Sequence, residues 1–263
     1  KNESITVQDS VQKKLKIDRD WVLNKNNFNA YGEIIDTSDV DTLYRNIYDP
    51  STFTGVVFKE SLEKYGARVK TISKKKTSNK SYKKISTHLS KPLIHSSTNL
   101  MNESDNLTAE LFVKSIGALD TLPGTWKVGL DSVKSFLAKE VLIDTSNIRL
   151  ADASGVSRYN LTSAAQLNSL LKWMYNSEYK DDFISTLPGG GWENSTLEKR
   201  LVDEGDLVRA KTGGLSGVRN LAGYIKSKKY GDVAFSILMN GYTDYSSRYA
   251  RVHDQIVKSI IYD

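Results

Sequence analysis

Residues 207–240 read LVRAKTGGLSGVRNLAGYIKSKKYGDVAFSILMN. Three runs rich in β-branched and apolar residues, 207–212, 218–225 and 233–240, are separated by short links containing Gly, Ser and Lys, which predicts three strands in an antiparallel meander. The third run is almost wholly apolar, so it is expected to be buried on both faces. Residues 245–262 then read as a closing helix. Lys211-Thr212-Gly213 falls at the end of the first predicted strand, followed by Gly214 and the second strand.

Upstream, the periodicity changes from two to 3.6. Leu107, Leu111, Ile116 and Leu119 mark an amphipathic helix, and Trp126, Val128, Val133, Phe136, Leu137 and Val141 mark another. A third starts at Thr162 and carries Leu167, Leu170, Leu171, Trp173 and Met174. Three helices in succession predict a helical subdomain at about 100–185. Ser104-Asp105-Asn106 stands immediately before the first of them. Further upstream, Pro50 opens a helix that Gly66 stops, and residues 67–72 alternate as a strand would. Residues 1–50 read as polar and irregular, with a strand at 30–35. The fold class expected is mixed α/β, an antiparallel sheet flanked by helices beside the helical subdomain.

Composition narrows the chemistry. The 263 residues are 39% hydrophobic, ample for a buried core, and no apolar run reaches the length of a membrane span. There is no Cys, which excludes thiol nucleophiles, disulfides and Cys-based zinc sites, and the three His (His88, His95, His253) are scattered. No metal or cofactor is expected, and catalysis would have to run on Ser, Lys, Asp, Glu, Asn or Tyr. The net charge of +6 is concentrated, since residues 70–84 hold seven lysines and no acid. Tyr82 is the one aromatic there, whereas nucleic-acid stacking needs several. The run reads first as a solvated loop, and otherwise as an anion patch for peripheral contact with cell wall or membrane. No nucleic-acid partner is expected.

Ser-Asp-Asn before a helix is also an ordinary N-cap, and Lys-Thr-Gly at a strand end is common. Their conjunction, in this order and in these contexts, carries the information. The two are elements of active-site serine penicillin-recognising enzymes, whose third element is Ser-x-x-Lys. The sequence resembles the class C low-molecular-mass penicillin-binding proteins, the penicillin-binding protein 4 type of D-Ala-D-Ala carboxypeptidase/endopeptidase. The resemblance extends through THLSKPL (87–93), MNESDNLTAE (101–110), DASGVSRYN (152–160), LPGGG (187–191) and AKTGGLSGVRNLAGYI (210–225), with Ala153 where the family usually has glycine. It implies a β-lactamase/transpeptidase-like fold without cofactor, and an acyl-serine mechanism on peptidoglycan stem peptides and β-lactams in an extracytoplasmic, periplasmic setting.

The resemblance also implies roles. Ser104 relays a proton to the leaving amine, and Asn106 holds the substrate carbonyl and orients a lysine. Lys211 and Thr212 bind the terminal carboxylate, with Lys211 also counted among the catalytic groups. Gly213 leaves room for substrate backbone along the strand, and Asp105 and Gly214 complete the substrate wall.

Six Ser-x-x-Lys strings occur, at Ser10, Ser61, Ser73, Ser81, Ser169 and Ser177. Ser169 and Ser177 follow Ser104, in the wrong order. Ser73 and Ser81 lie in the lysine run, Ser61 lies within the helix after Pro50, and Ser10 has polar surroundings. None suits a nucleophile that opens a buried helix among small apolar residues. The expectation is that this chain is the C-terminal portion of a longer enzyme: 1–50 a remnant of an inserted accessory domain, 51–263 the C-terminal part of the transpeptidase-like domain. The rival reading is a non-catalytic cell-wall peptide-binding module, an inactive fragment or paralogue.

Overall fold

A left-handed residue opens the first helix: Asp49 (φ 50°) caps α1 (Pro50–Lys64) by accepting from the Thr52 amide, and Pro50 supplies the fixed φ suited to a first helical position. Lys74 pairs with the same carboxylate and, with Thr52, holds it down to about 2. The structure, a computed structural model, describes residues 1–8, 11–38, 42–75 and 83–263. Ser10, Ser81, Tyr82 and part of the lysine run, including Lys76 and Lys80, lie outside the described residues.

The chain divides into two compact units, Lys1–Thr87 and His88–Asp263. In the first, β1 (Asn2–Val7), β2 (Lys16–Arg19) and β3 (Phe28–Ile35) form a sheet of order β1-β3-β2, with β1 parallel and β2 antiparallel to β3. The expectation of an irregular stretch before residue 30 is thus corrected. Polar positions on half-exposed strands gave no period-two signal, and the parallel β1–β3 pairing joins distant residues. Gly32 (φ 107°) has no room for a side chain, because a Cβ would stand 2.6 Å from the Lys14 carbonyl. The strand expected at 67–72 does not form; those residues are irregular. The boundary between the two units falls after residue 87.

The second unit holds α2 (Leu93–Glu103), α3 (Asn106–Asp120), α4 (Trp126–Lys139), α5 (Ala164–Tyr175), α6 (Lys180–Thr186), then β4 (Val208–Leu215), β5 (Val218–Ser227), β6 (Gly231–Asn240) and α7 (Ser246–Tyr262). The helical subdomain and the meander β4-β5-β6 are as expected. The sequence reading missed α2 and α6. Helix α5 starts on a capping box, Ser163 with Gln166.

Strand alternation divides the sheet into two faces. Val208, Ala210, Leu221, Ile225 and Phe235 pack with Val257 and Ile261 of α7, all buried. Each of these side chains larger than Ala210 contributes about 1.5–3 kcal/mol. On the opposite face, Tyr224 and Ala222 pack with Leu171, Leu187, Met101 and Phe183 from the helical side. The expectation that β6 is buried on both faces is corrected: Phe235 alone of its residues is buried, because β6 is an edge strand. Lys211 is not at a strand end either; β4 continues through Gly213 and Gly214 to Leu215, in register with Val218.

Candidate active site

Two structural decisions bring the predicted residues together. The first is the turn between α2 and α3. Helix α2 ends at Ser104, which adopts φ 61°, ψ 48°, a conformation that costs a non-glycine residue about 1–2 kcal/mol. Asp105 then caps α3, accepting from the Leu107 amide at 2.9 Å and the Thr108 hydroxyl at 2.5 Å. Its carboxylate therefore serves the turn. Asn106 opens α3 and is exposed. The carbonyl of Asn102 accepts from the Thr196 amide at 3.0 Å, which anchors the end of α2 to the loop before β4.

The second decision is the register of β4. Alternation sets Lys211 on the face it shares with Ala222 and Tyr224, toward the helices. There the Lys211 ammonium donates to Ser104 Oγ at 2.7 Å and to the Thr212 carbonyl at 2.9 Å. Burial lowers the pKa of Lys211 from 10.5 to about 8. Ser104 and Lys211 thus form one hydrogen-bonded pair, with Thr212, Gly213 and Gly214 continuing along the strand.

The outer edge of β4 is occupied only in part. The Ala210 amide donates to the Pro188 carbonyl at 3.0 Å, and Gly189 bridges Arg209. Arg209 secures this segment, donating to the Leu187 carbonyl at 3.2 Å and stacking on Trp192. Since alternate residues of a strand turn their backbone groups to the same side, Thr212 and Gly214 face outward as Ala210 does. Among the described residues, no strand pairs with that edge beyond Ala210. A methyl at Gly213 would meet only ordinary contacts with Asn220, at 3.5 Å and beyond.

A cleft of about 1110 Å³ opens beside this edge, lined among others by Lys211, Thr212, Gly213, Arg158, Asn160 and Asn220. Its far wall is a loop whose geometry the sequence reading did not assign. Glu110 of α3 accepts from the amides of Ala153 and Ser154, Asp152 accepts from those of Gly155 and Ser157, and Asn160 Oδ1 accepts from the Ala151 amide. Arg158 then crosses to donate to the Ser216 carbonyl at 2.7 Å. The contacts of Glu110 and Arg158 join residues 43 to 58 positions apart, beyond any local periodicity. Among the described residues, no group of three or more His, Cys, Asp or Glu side chains converges as a metal centre requires, and no helix is long and apolar enough to cross a membrane.

The Ser-x-x-Lys strings in the described residues are built otherwise. Ser61 donates to the Val57 carbonyl within α1, and Ser177 donates to the Met174 carbonyl. Ser73 and Ser169 are exposed.

The family model described as the D-Ala-D-Ala carboxypeptidase 3 (S13) family matches residues 1–259. A D-alanyl-D-alanine carboxypeptidase of Actinomadura sp. (strain R39) is 33% identical over 212 residues, 77% of this chain and 39% of that protein. The D-alanyl-D-alanine carboxypeptidase DacB of Haemophilus influenzae is 34% identical over 160 residues, 59% of this chain and 33% of that protein. The chain thus spans well under half the length of these relatives. The crystal structure of penicillin binding protein 4 (dacB) from Haemophilus influenzae, complexed with a β-lactam, superposes with a TM-score of 0.75 over 95% of this chain and 60% of that one, at 24% identity, a likeness of fold.

Proposed function

The chain belongs to the D-Ala-D-Ala carboxypeptidase 3 (S13) family, and on that premise we propose that it is part of a serine-type hydrolase of peptidoglycan stem peptides. The reaction in this reading removes a terminal D-Ala, or cuts a D-amino-acid crosslink, through an acyl-serine intermediate in an extracytoplasmic setting. The observation that carries it is the 2.7 Å hydrogen bond from Lys211 to Ser104.

The chemistry follows from that pair. A serine oxygen attacks the scissile carbonyl as its hydroxyl proton passes to the lysine of the same Ser-x-x-Lys segment, the C–N bond breaks, and the departing amine takes up a proton in turn. Ser104 supplies it through its hydroxyl, and Lys211, already donating to the same oxygen, restores it. A lysine at about 8 is a better proton donor than one at 10.5, since its ammonium is held less tightly near neutral pH. Substrate backbone adds to the free edge of β4 at Thr212 and Gly214, its terminal carboxylate meets Lys211 and Thr212, and the Asn106 amide holds the substrate carbonyl. Asp105 acts by holding Ser104 and Asn106 in place. A β-lactam is attacked in the same way, its ring amide standing for the peptide bond. The nucleophile comes, in this reading, from a Ser-x-x-Lys segment outside these 263 residues.

The setting of the Ser-x-x-Lys strings favours a second reading, a peptide-binding module without turnover. One experiment separates the two. The full-length protein is incubated with diacetyl-Lys-D-Ala-D-Ala, and released D-Ala is measured, with a fluorescent penicillin as an acylation probe. Release and labelling, both lost in Ser104→Ala at the level of turnover, support the hydrolase. Binding of the peptide without release or labelling supports the module and overturns the hydrolase.

A further inference from the structure

The face of the sheet opposite Lys211 carries a second cation that the chemistry above does not use. Arg219 of β5 is the register partner of Gly214. The two therefore share a face, together with Thr212 and its partner Leu221. Gly214 has no side chain, and the Arg219 guanidinium occupies the ground a side chain would take: a methyl at Gly214 would stand 3.4 Å from Arg219 Nη1. The arginine thus lies across β4 toward its unpaired edge, alongside the strand positions, Thr212 and Gly214, that turn their backbone groups outward.

That guanidinium is poorly served by the protein. Among the described residues, Arg219 Nε is buried without a hydrogen-bond partner. The carboxylate nearby, Asp254, is taken by Arg200, which donates to it at 2.7 Å through Nη2 and at 3.2 Å through Nε. Burial first, and then the charge of Arg200, press against the charged form of Arg219, and the nearby Tyr242 and Asp254 offset this only in part. A half-buried guanidinium with spare donors is a receptor for an anion, and its planar fork suits a carboxylate.

We propose that Arg219, given passage by Gly214, is a specificity-determining residue that binds the terminal carboxylate of the substrate from beneath the free edge of β4. The inference rests on the stem-peptide reading above and deepens it. Lys211 meets the carboxylate from the helical face and Arg219 from the α7 face, so the strand edge carries a cation on each side. A substrate whose C-terminal carboxylate is free is then preferred to one whose C-terminus is amidated.

The test compares diacetyl-Lys-D-Ala-D-Ala with its C-terminal amide on the full-length protein and on Arg219→Gln, Arg219→Lys, Gly214→Val and the Gly214→Val/Arg219→Gln double variant. Loss of one charge-assisted contact lowers kcat/KM for the free acid by about ten-fold or more, chiefly through KM, and lowers the preference for free acid over amide by the same factor. Arg219→Lys restores part of the preference. Gly214→Val fills the passage and reproduces the loss, and the double variant is no worse than either single one, as expected of two residues acting as one unit. If Arg219→Gln fails to fold, Gly214→Val and Arg219→Lys carry the same comparison. An unchanged free-acid preference in these variants, with or without a general fall in activity, overturns the proposal and assigns Arg219 a structural role. A wild type that hydrolyses the free acid in that case leaves the parent reading standing; a wild type that hydrolyses neither peptide overturns both.

Discussion

The ammonium of Lys211 donates to the hydroxyl of Ser104 at 2.7 Å, across 107 residues of chain. The serine comes from a left-handed turn between two helices and the lysine from the interior of a strand. Neither element could place the other's side chain. The pair exists because α2 is tied to the loop before β4 while β4 is held by β5 on one side and Pro188 on the other.

The strained backbone at Ser104 makes activity and stability separable. Ser104→Gly relieves the cost of φ 61° but removes the hydroxyl. A relief of about 1 kcal/mol raises Tm by roughly 2–4 °C in a protein of this size, less the entropy glycine adds to the unfolded chain. Ser104→Gly should therefore be at least as stable as Ser104→Ala, while both lose about 10²–10⁴-fold in kcat. Calorimetry and D-Ala release measure the two sides; a fully active Ser104→Gly variant would sink the relay.

The charge on Lys211 should be visible in pH profiles. Its ammonium is held down to about 8 in the folded protein, against an ordinary 10.5. Between those values the unfolded chain binds a proton that the folded chain has lost, so the contribution of this group to stability rises with pH across that window. Substrate binding goes the other way, because a neutral amine no longer attracts a carboxylate. An alkaline limb in kcat/KM centred near pH 8 is expected, and it should move upward by more than a unit in Lys211→Arg. A profile flat to pH 10 contradicts the assignment.

Lys211→Ala removes a charge-assisted hydrogen bond worth roughly 1.5–3 kcal/mol, or about 10- to 100-fold in kcat/KM. Lys211→Arg should recover only part of this, since a planar fork does not replace a compact ammonium between Ser104 and the Thr212 carbonyl. Steady-state kinetics on the free-acid peptide decide the matter, and wild-type rates in Lys211→Ala would show a merely solvated lysine.

The 263-residue chain by itself, folded by circular dichroism, should form no covalent adduct with a fluorescent penicillin. Ser61 and Ser177 are engaged with helix carbonyls, and Ser73 and Ser169 are exposed. Denaturing electrophoresis with peptide mapping checks this; a label on any serine of the chain would overturn the argument about the nucleophile.

Much of the second unit was legible in its sequence. Periodicity of 3.6 located α3, α4, α5 and α7, and apolar runs with short links located β4, β5 and β6, because each element buries one side of itself and writes that burial into its own residues. The motifs at Ser104 and Lys211 were legible for the same reason, each sitting where a helix begins or a strand runs. Other features had no local signature. Helix α2 carries His95, Ser96, Ser97 and Thr98 on exposed or half-buried positions and starts without a side-chain cap, which leaves only Leu93, Ile94, Leu100 and Met101 at its two ends to mark an apolar stripe. Gly213 and Gly214 are poor strand formers and read as a strand end, yet pairing with Asn220 and Arg219 carries β4 past them. The near-continuous apolar run of β6 implied two covered faces, and its place at the sheet edge left it half covered. A sequence states which face of an element avoids water. What stands opposite that face is settled by packing between distant segments, and so the Ser104–Lys211 bond, the open edge at Thr212 and Gly214, and the arginine beneath it were decided by the tertiary structure alone.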